Sequence, residues 1–483
     1  TVQLSQLSIW IHTFVPGLPL SLLDHNLIHG NALIGVDSLE QIRSKLNLEK
    51  GTLFELKTEE ILSKAAEPLK KLALLSDGSM KDIEEARSLM IEAKNNIEDI
   101  KSICDIIISQ PLSNNPRLSG YIFEKFSLQN SEKQTSEALK LANHILKKVY
   151  PIHFPIAFPE VFLSKKNGFN VILGNPPWKE AIVNEDKFWT RYSPGLSGMK
   201  TGEQEKVKEL LREKRPDLVF ELNQELTQTK LIRDFLHAGN FPGMNTGDPD
   251  LYKAFLWRFW FLTSKNRGRI GIVFPRTGLS SKGSEKFRRN LFESADSINI
   301  TTLVNAKNWV FDMEARYTIA VASILKSLQP SNKTITIKGP YSSYESFDSE
   351  REIESQKIKT TELLNWNESV SLPVLPSTYS LEVFTQLRKS PWFSLNKKDQ
   401  WRVRPDREMD QTNQKFLMDF SENHPKDFWK VYKGASFEIW NPDTGSYNAF
   451  ADPSKVLTWI QEKRLRSHKK KDSVHSEYPK EYL

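Results

Sequence analysis

Residues Gly168–Trp178 combine residue types that could hold a planar amine during a reaction. An apolar stretch, Val171–Leu173, is typical of a buried strand, and it leads through Gly174 into Asn-Pro-Pro-Trp. The Asn175 side-chain oxygen and the Pro176 carbonyl could accept both N–H bonds of an exocyclic amine, because proline keeps the turn rigid. This would draw the nitrogen toward a tetrahedral geometry with a free lone pair. The predicted chemistry is attack by a base nitrogen on a methyl group, promoted by placement and electrostatics.

Trp178 adds an aromatic surface at the end of the same motif. An adenine must leave the duplex before its amine can be reached, and stacking on an aromatic ring contributes roughly 1–3 kcal/mol per base. Trp178 is therefore the predicted stacking partner, and Pro177 completes the rigid turn. An Asn-Pro-Pro turn also occurs at ordinary strand-to-loop breaks. The strand directly before it is what favours a catalytic site here.

Two stretches around this motif resemble the γ class of adenine-N6 DNA methyltransferases. The segment Phe154–Phe162, followed by G-F-N-V-I-L-G-N-P-P-W, is similar to the large single-chain type IIG restriction–modification enzymes and to the methylases of BREX and DISARM phage-defence systems. The resemblance implies a Rossmann-like class I methyltransferase core, S-adenosylmethionine as methyl donor and double-stranded DNA as partner. It leaves open whether other defence-system subunits bind. The implied catalytic residues are Asn175, Pro176, Pro177 and Trp178.

The resemblance extends to residues on both sides of the motif. Upstream, Leu7–Val36 resembles a stretch ending in an acidic or amide residue that contacts the cofactor's adenine ring, which would be Asn31. Downstream, Gly247–Phe255 resembles a helix beside the cofactor pocket. Phe311, just before the predicted strand Thr318–Leu325, would pack against the flipped adenine together with Trp178. Asn31 could equally be an ordinary loop residue, and Phe311 an ordinary core residue.

One expected part of a methyltransferase is missing from this sequence. No loop of the form D-P-A-C-G-S-G occurs, although glycine is what lets a backbone approach the methionine end of the cofactor. The chain also begins at Thr1 inside a recognisable motif and stops at Leu483 inside the expected recognition domain. We therefore expect an internal fragment of a longer enzyme, with the catalytic tetrapeptide but only part of the cofactor site.

The charge balance suits a polyanionic partner. The formal net charge of the 483 residues is +7, and 39% of them are hydrophobic, enough for sizeable cores. Basic residues also cluster where DNA would approach the predicted site and the predicted recognition domain. The predicted DNA contacts are Lys282, Arg288, Arg289, Arg402 and Arg404.

The cysteine and histidine content excludes several classes of protein. The single cysteine, Cys104, lies in a helical pattern and predicts a core thiol and no disulfide framework. The nine histidines are scattered, so no metal site is predicted. No apolar run of about 18 residues and no signal peptide are found, which predicts a cytoplasmic protein without a membrane partner.

Changes of pattern along the chain predict its organisation. The predicted fold class is α/β, a partial class I methyltransferase core with a long helical insertion and the start of a mixed α/β target-recognition domain. The predicted segments are 1–39 and 151–330 for the core, 40–150 for the helical insertion, 331–378 for a connector and 379–483 for the recognition domain.

Further elements are predicted inside the core and the recognition domain. Arg269–Pro275 reads as a buried strand, and the polar helical stretch Lys200–Leu236 could form a mobile flap over the site. Trp401–Asn413 and Val431–Asn441 resemble the opening of the family's recognition domain. The DNA sequence that such a domain would read does not follow from these residues.

Two other functions fit the same tetrapeptide. Enzymes that methylate a glutamine side chain in translation release factors also use Asn-Pro-Pro-aromatic, but they are short and lack a basic domain like the residues after Lys326. A non-catalytic DNA-binding scaffold that senses unmodified sites would share the core. Neither Pro216-Asp217 nor Pro249-Asp250 is followed by a convincing Glu-x-Lys, so no nuclease centre is predicted in this chain.

Overall fold

The chain divides into two compact units, Thr1–Arg388 and Lys389–Leu483, and each is described by itself. The structure is a computed structural model, in which the described residues are 2–12, 27–45, 60, 63–64, 67–69, 71, 80–113, 132–238, 241–245, 249–315, 317–330, 333–353, 357–373, 380–390, 410–421, 423–469, 475 and 479.

The first unit is built around a six-stranded mixed sheet of order β1-β2-β4-β3-β5-β6. Its strands are β1 Val171–Gly174, β2 Arg269–Pro275, β3 Ser297–Val304, β4 Thr318–Leu325, β5 Thr334–Tyr341 and β6 Lys357–Lys359. β1, β2, β3 and β5 run in one direction, whereas β4 and β6 are antiparallel to their neighbours. The carboxyl ends of β1 and β2 therefore lie at the same edge as the amino end of β4.

The strands expected from the sequence form where predicted, but β1, expected to be buried, leaves Val171 56% and Leu173 77% exposed. β2 and β4 have the predicted bounds, and β1 has one further residue, Gly174. Along β2 the side chains of Ile270, Ile272 and Phe274 alternate with less buried neighbours, and all three are buried. This alternation is the period-2 signal of a strand packed on one face.

The segment 331–378, expected to be a connector with some strands, contributes two strands to the sheet. β5 pairs in parallel with β3, and β6 pairs antiparallel to β5. Ile335 and Ile358 point into the main core and are buried. The segment therefore extends the sheet, and the boundary of the compact unit falls later, after Arg388.

Helices cover the sheet and fill the insertion. In the first unit they are α1 Val2–His12, α2 Leu39–Lys45, α3 Met80–Ser113, α4 Glu132–Leu146, α5 Phe154–Ala157, α6 Pro159–Phe162, α7 Glu185–Tyr192, α8 Thr201–Lys214, α9 Pro216–His237, α10 Leu251–Leu262, α11 Thr277–Ser280, α12 Glu285–Ser294, α13 Tyr344–Glu350, α14 Thr360–Leu364 and α15 Ser380–Leu387. Short 3₁₀ turns span Leu196–Gly198, Lys282–Ser284 and Ala306–Asn308.

The predicted helical insertion contains α3 and α4, which pack together. Cys104 and Ile107 of α3 share a buried cluster with Ala142 of α4. Cys104 is fully buried, and burial raises the pKa of its thiol, as expected for a core cysteine. α3 continues through Pro111 to its end, because a proline in the last turn removes only one helical hydrogen bond.

Buried polar contacts fix the segment before α2 against the core. His153 Nδ1 accepts from the Val36 N–H at 3.2 Å, and His153 Nε2 lies 2.9 Å from Asp105 Oδ1 on α3. Burial lowers the pKa of His153, so the neutral ring donates through Nε2. Arg258 of α10 donates to the Gly35 carbonyl at 3.1 Å. Residues 33–37 are thus held from two sides.

The polar stretch expected to form a flap folds into α8 and α9. At one end, Leu218 and Leu222 of α9 pack with Phe188 and Trp189 of α7 in a small separate core. At the other end, Phe235 belongs to the main core. Helix α9 is therefore anchored at both ends by apolar contacts.

The second unit has a two-stranded sheet and one long helix in its described part. β7 Trp429–Tyr432 pairs antiparallel with β8 Tyr447–Ala451, and α16 Pro453–His468 follows. Leu417, Ala451 and Val456 form its small core. This is a mixed α/β unit, and its role as a recognition domain stays a prediction. Within the described part of the chain, no helix is long and apolar enough to cross a membrane.

Candidate active site

The Asn-Pro-Pro-Trp motif lies at the carboxyl end of β1, as the sequence predicts. Gly174, just before the motif, has to be a glycine because helix α10 packs closely against it. A Cβ at this position would lie 2.5 Å from Phe259 Cζ. Asn175 is exposed, Pro176 is buried, and Trp178 is half-buried. The amide of Asn175 is therefore accessible to a ligand while the proline behind it is held in the core.

A second chain segment holds the residues that follow the motif. The Ala181 N–H donates to the Pro249 carbonyl at 2.9 Å, and the Leu251 N–H donates to the Lys179 carbonyl at 3.0 Å. These bonds join the motif to the start of α10. The position of Trp178 is thus set from both β1 and α10.

Trp178 and Phe311 meet at this edge of the sheet. Their ring centroids are 6.3 Å apart and their planes are nearly perpendicular, at 87°. Both rings pack on a cluster that contains Leu303 and Ile319 of β3 and β4. The Trp178 indole nitrogen is buried and has no hydrogen-bond partner among the described residues. The structure therefore brings together the two aromatic residues predicted to bind the base.

Asn305 organises the loop that carries Phe311. It is fully buried, and its Nδ2 donates to the carbonyls of Phe311 at 3.0 Å and Met313 at 3.1 Å. Its Oδ1 accepts from the N–H groups of Val310 at 3.2 Å and Phe311 at 3.1 Å. Asn305 is not among the residues that the sequence predicts for the site. Its signal was an asparagine directly after a strand and before an aromatic loop.

Replacing Asn305 with alanine is expected to lower the free energy of unfolding by about 2–4 kcal/mol, because buried backbone groups lose their partners. Urea denaturation would measure the change. The matched control is Asn299→Ala, since Asn299 lies exposed on β3, the strand just before Asn305, and among the described residues its side chain accepts from the Thr336 hydroxyl at 2.6 Å. An equal loss in both variants would contradict the role given to Asn305.

Two cavities adjoin Trp178. The first, which we call the β2 cavity, has a volume of about 410 Å³ and lies between the ends of β2 and β4; its lining includes Trp178, Tyr252, Pro275, Arg276, Met313 and Tyr317. The second, the α9 cavity, has a volume of about 580 Å³ and lies beside α7 and α9; its lining includes Trp178, Asn184, Lys187, Gln228, Thr229 and Ile232.

The lining of the β2 cavity includes one carboxylate, which forms an ion pair, and one arginine. Asp250 pairs with Lys253 at 2.6 Å. Arg276 has no acidic partner among the described residues, and burial lowers the pKa of its guanidinium. Burial and the nearby Asp250 raise the pKa of Tyr252, so this phenol remains protonated. The cavity therefore offers hydrogen-bond donors and positive charge.

The structure corrects one predicted DNA contact. Arg288 is fully buried, and its guanidinium donates to the backbone carbonyls of Val370, Gly278, Ser281 and Ser369 at 2.6–3.0 Å. Burial lowers its pKa to about 10. A guanidinium saturated by four carbonyls cannot reach a phosphate, so Arg288 is a structural residue.

The other predicted DNA contacts fall into two groups. Lys282 is exposed. It follows Ser280, a residue in the lining of the β2 cavity, by two positions in the chain. Arg289 is partly exposed and lies 3.3 Å from Glu285. Both stay predictions. Arg402 and Arg404 lie outside the described residues.

The described residues do not form a complete site for S-adenosylmethionine. Asn31 uses its side-chain oxygen locally, since Oδ1 accepts from the Leu33 N–H at 3.0 Å. In the described part of the sheet β1 is an edge strand, and its Val171 and Leu173 side chains are 56% and 77% exposed. None of the described strands is followed by a glycine-rich loop. We therefore derive no step through this cofactor.

The part of the chain that the structure describes shows no cluster of metal ligands at the site. The described ranges contain no group of three or more histidine, cysteine, aspartate or glutamate residues that could hold a metal ion. The chemistry derived below relies on the amide, carbonyl and aromatic groups of the motif.

Comparisons with known proteins give remote similarities only. No protein-family model matches the sequence, and no curated protein matches it. Among solved structures, the DrdV–DNA complex is 16% identical, covering 47% of this chain and 18% of the DrdV chain, with a TM-score of 0.23. This chain thus spans less than a fifth of that polypeptide.

Two further solved structures come from type I restriction systems, one of them described as putative. A modification subunit of a putative type I restriction enzyme from Vibrio vulnificus YJ016 is 16% identical, covering 62% of this chain and 66% of that chain, with a TM-score of 0.25. A type I restriction–modification methyltransferase subunit from Streptococcus thermophilus is 10% identical, covering 76% and 82%, with a TM-score of 0.25. Similarity of this strength does not assign the chain to a family.

Proposed function

We propose that this protein is an S-adenosylmethionine-dependent DNA adenine-N6 methyltransferase of a restriction–modification or phage-defence system. The observation that carries the proposal is the Asn-Pro-Pro-Trp motif at the end of a strand, with Trp178 packed against Phe311 and lining a cavity of about 410 Å³. The methyl donor is the one implied by the sequence resemblance. In this proposal the described residues bind the adenine that accepts the methyl group.

Asn175 and Pro176 would bind the exocyclic amine. The Asn175 side chain is exposed at the end of β1 and can accept one N–H of the base, while the Pro176 carbonyl accepts the other. Both acceptors are held by a rigid turn between β1 and α10, so little reorganisation is needed when charge develops on the nitrogen.

Trp178 and Phe311 would hold the base ring. In this structure Phe311 contacts Trp178 edge to face, so a base can stack on Trp178 once the Phe311 ring turns aside. The buried Trp178 N–H without an acceptor favours such a rearrangement, because a buried donor without a partner costs about 1–3 kcal/mol. The adjoining β2 cavity offers space for the extruded nucleotide.

A single assay tests the proposed function. The intact protein is incubated with labelled S-adenosylmethionine and unmethylated plasmid DNA, and modified bases are mapped by single-molecule sequencing. N6-methyladenine at one short motif is the expected result. Label on a protein substrate with unmodified DNA would instead indicate a glutamine methyltransferase.

A non-catalytic DNA-sensing scaffold is the second candidate, because the described residues do not complete a cofactor pocket. It predicts that the protein binds unmethylated DNA, fails to bind S-adenosylmethionine and transfers no methyl group. Equilibrium dialysis with labelled cofactor separates this result from that of an enzyme that binds the cofactor but awaits a partner subunit.

A further inference from the structure

Arg276 lies at the predicted active site but has no role in the chemistry described above. It directly follows β2, and its backbone N–H donates to the Thr318 carbonyl at 3.0 Å. The residue is therefore fixed between the end of β2 and the start of β4. It lines the β2 cavity together with Thr277 and Tyr317, and Trp178 forms part of the same lining.

The electrostatic surroundings of Arg276 favour an anionic ligand. Among the described residues no carboxylate lies within ion-pair distance of its guanidinium, and the nearby Asp250 is already paired with Lys253 at 2.6 Å. Burial lowers the pKa of Arg276, which means that no protein anion offsets its loss of solvation. A partly desolvated guanidinium gains most from a ligand that restores a negative charge.

We propose that Arg276 binds a phosphate group of the DNA strand next to the flipped adenine, with the hydroxyl groups of Thr277 and Tyr317 as further donors. This inference rests on the proposed function. Arg276 and Trp178 line one cavity of about 410 Å³, and a base is linked to its own phosphates through a single sugar. A base stacked on Trp178 therefore places a phosphate within the same cavity.

The shape of the guanidinium supports a phosphate in particular. Its planar fork can donate two parallel hydrogen bonds to two phosphate oxygens, which a lysine cannot do. Phosphate contacts fix the position of the strand without reading the sequence. Arg276 would thus hold the extruded nucleotide in register while Asn175 and Pro176 bind its amine.

The test compares binding of deoxyadenosine with binding of its 5′- and 3′-monophosphates, measured by ligand-observed NMR titration of the intact protein. The variants are Arg276→Ala and Arg276→Lys. The matched control is Arg269→Ala, which removes the same charge from an exposed residue at the opposite end of β2. Circular dichroism checks that each variant is folded.

The native protein is expected to bind one monophosphate roughly tenfold more tightly than the nucleoside, as for hydrogen bonds to a charged group. Arg276→Ala should lose this preference and keep nucleoside binding, Arg276→Lys should keep part of it, and Arg269→Ala should keep all of it. With duplex DNA, the slope of log affinity against log salt should fall by about one in Arg276→Ala.

Two results would overturn the inference: a native protein without the preference, or a preference that survives in Arg276→Ala. These outcomes are separable from failure of the proposed function. If Arg276→Ala loses the preference for the monophosphate but the plasmid assay yields no N6-methyladenine, the phosphate site stands and the adenine assignment fails. If adenine is methylated while Arg276→Ala keeps the full preference, the adenine assignment stands and the phosphate site at Arg276 fails.

Discussion

Replacing Asn175 with alanine is expected to reduce the rate of methyl transfer by about 10²–10³-fold, the loss typical of removing one preorganised hydrogen-bonding group from an active site. Asn175 is exposed at the end of β1, so its removal leaves no packing defect. Single-turnover transfer of labelled methyl groups to DNA by the intact protein measures the rate. DNA affinity should be unchanged, because the amide acts on one amine only.

Two further variants sharpen this prediction. Asn175→Asp keeps an acceptor oxygen and should lose less activity than Asn175→Ala. Asn170→Ala removes an exposed asparagine just before the same strand and should have no effect on the rate. Turnover by Asn175→Ala at the native rate would refute the role of this residue in orienting the amine.

Replacing Arg288 with alanine is expected to destabilise the first unit by roughly 3–5 kcal/mol, because several buried carbonyls lose their donors at once. The guanidinium bonds Gly278 and Ser281 on one side and Ser369 and Val370 on the other. It therefore ties the residues that follow β2 to residues 369–370, far away in the chain. Urea denaturation, followed by tryptophan fluorescence, measures the loss.

The neighbouring Arg289 is the matched control for Arg288. Arg289→Ala removes the same side chain from the surface, where a pair such as Arg289–Glu285 contributes about 0–1 kcal/mol. It should leave stability nearly unchanged and reduce the salt dependence of DNA binding if Arg289 contacts a phosphate. Comparable destabilisation by the two substitutions would contradict the structural role of Arg288.

Local patterns in the sequence were enough to find the main elements of the site. The apolar alternation of β2 and β4 predicted both strands with their observed bounds. The glycine and prolines after Val171–Leu173 predicted where this strand ends, and β1 ends at Gly174 in the structure. These features depend on residues close together in the chain, so their signals survive without knowledge of the fold. The same is true of Cys104, whose helical apolar neighbours predicted its burial.

The sequence alone thus predicted which residues could bind an amine and a base. The tertiary structure decided which of the neighbouring residues are exposed and can contact a ligand. Arg288 and Arg289 are adjacent and chemically identical, yet one is buried among carbonyls and the other reaches the surface. Arg276 gained its position from the order of the strands, which places β4 beside β2. Burial and hydrogen-bond saturation depend on groups brought together from distant parts of the chain, and no local pattern encodes them.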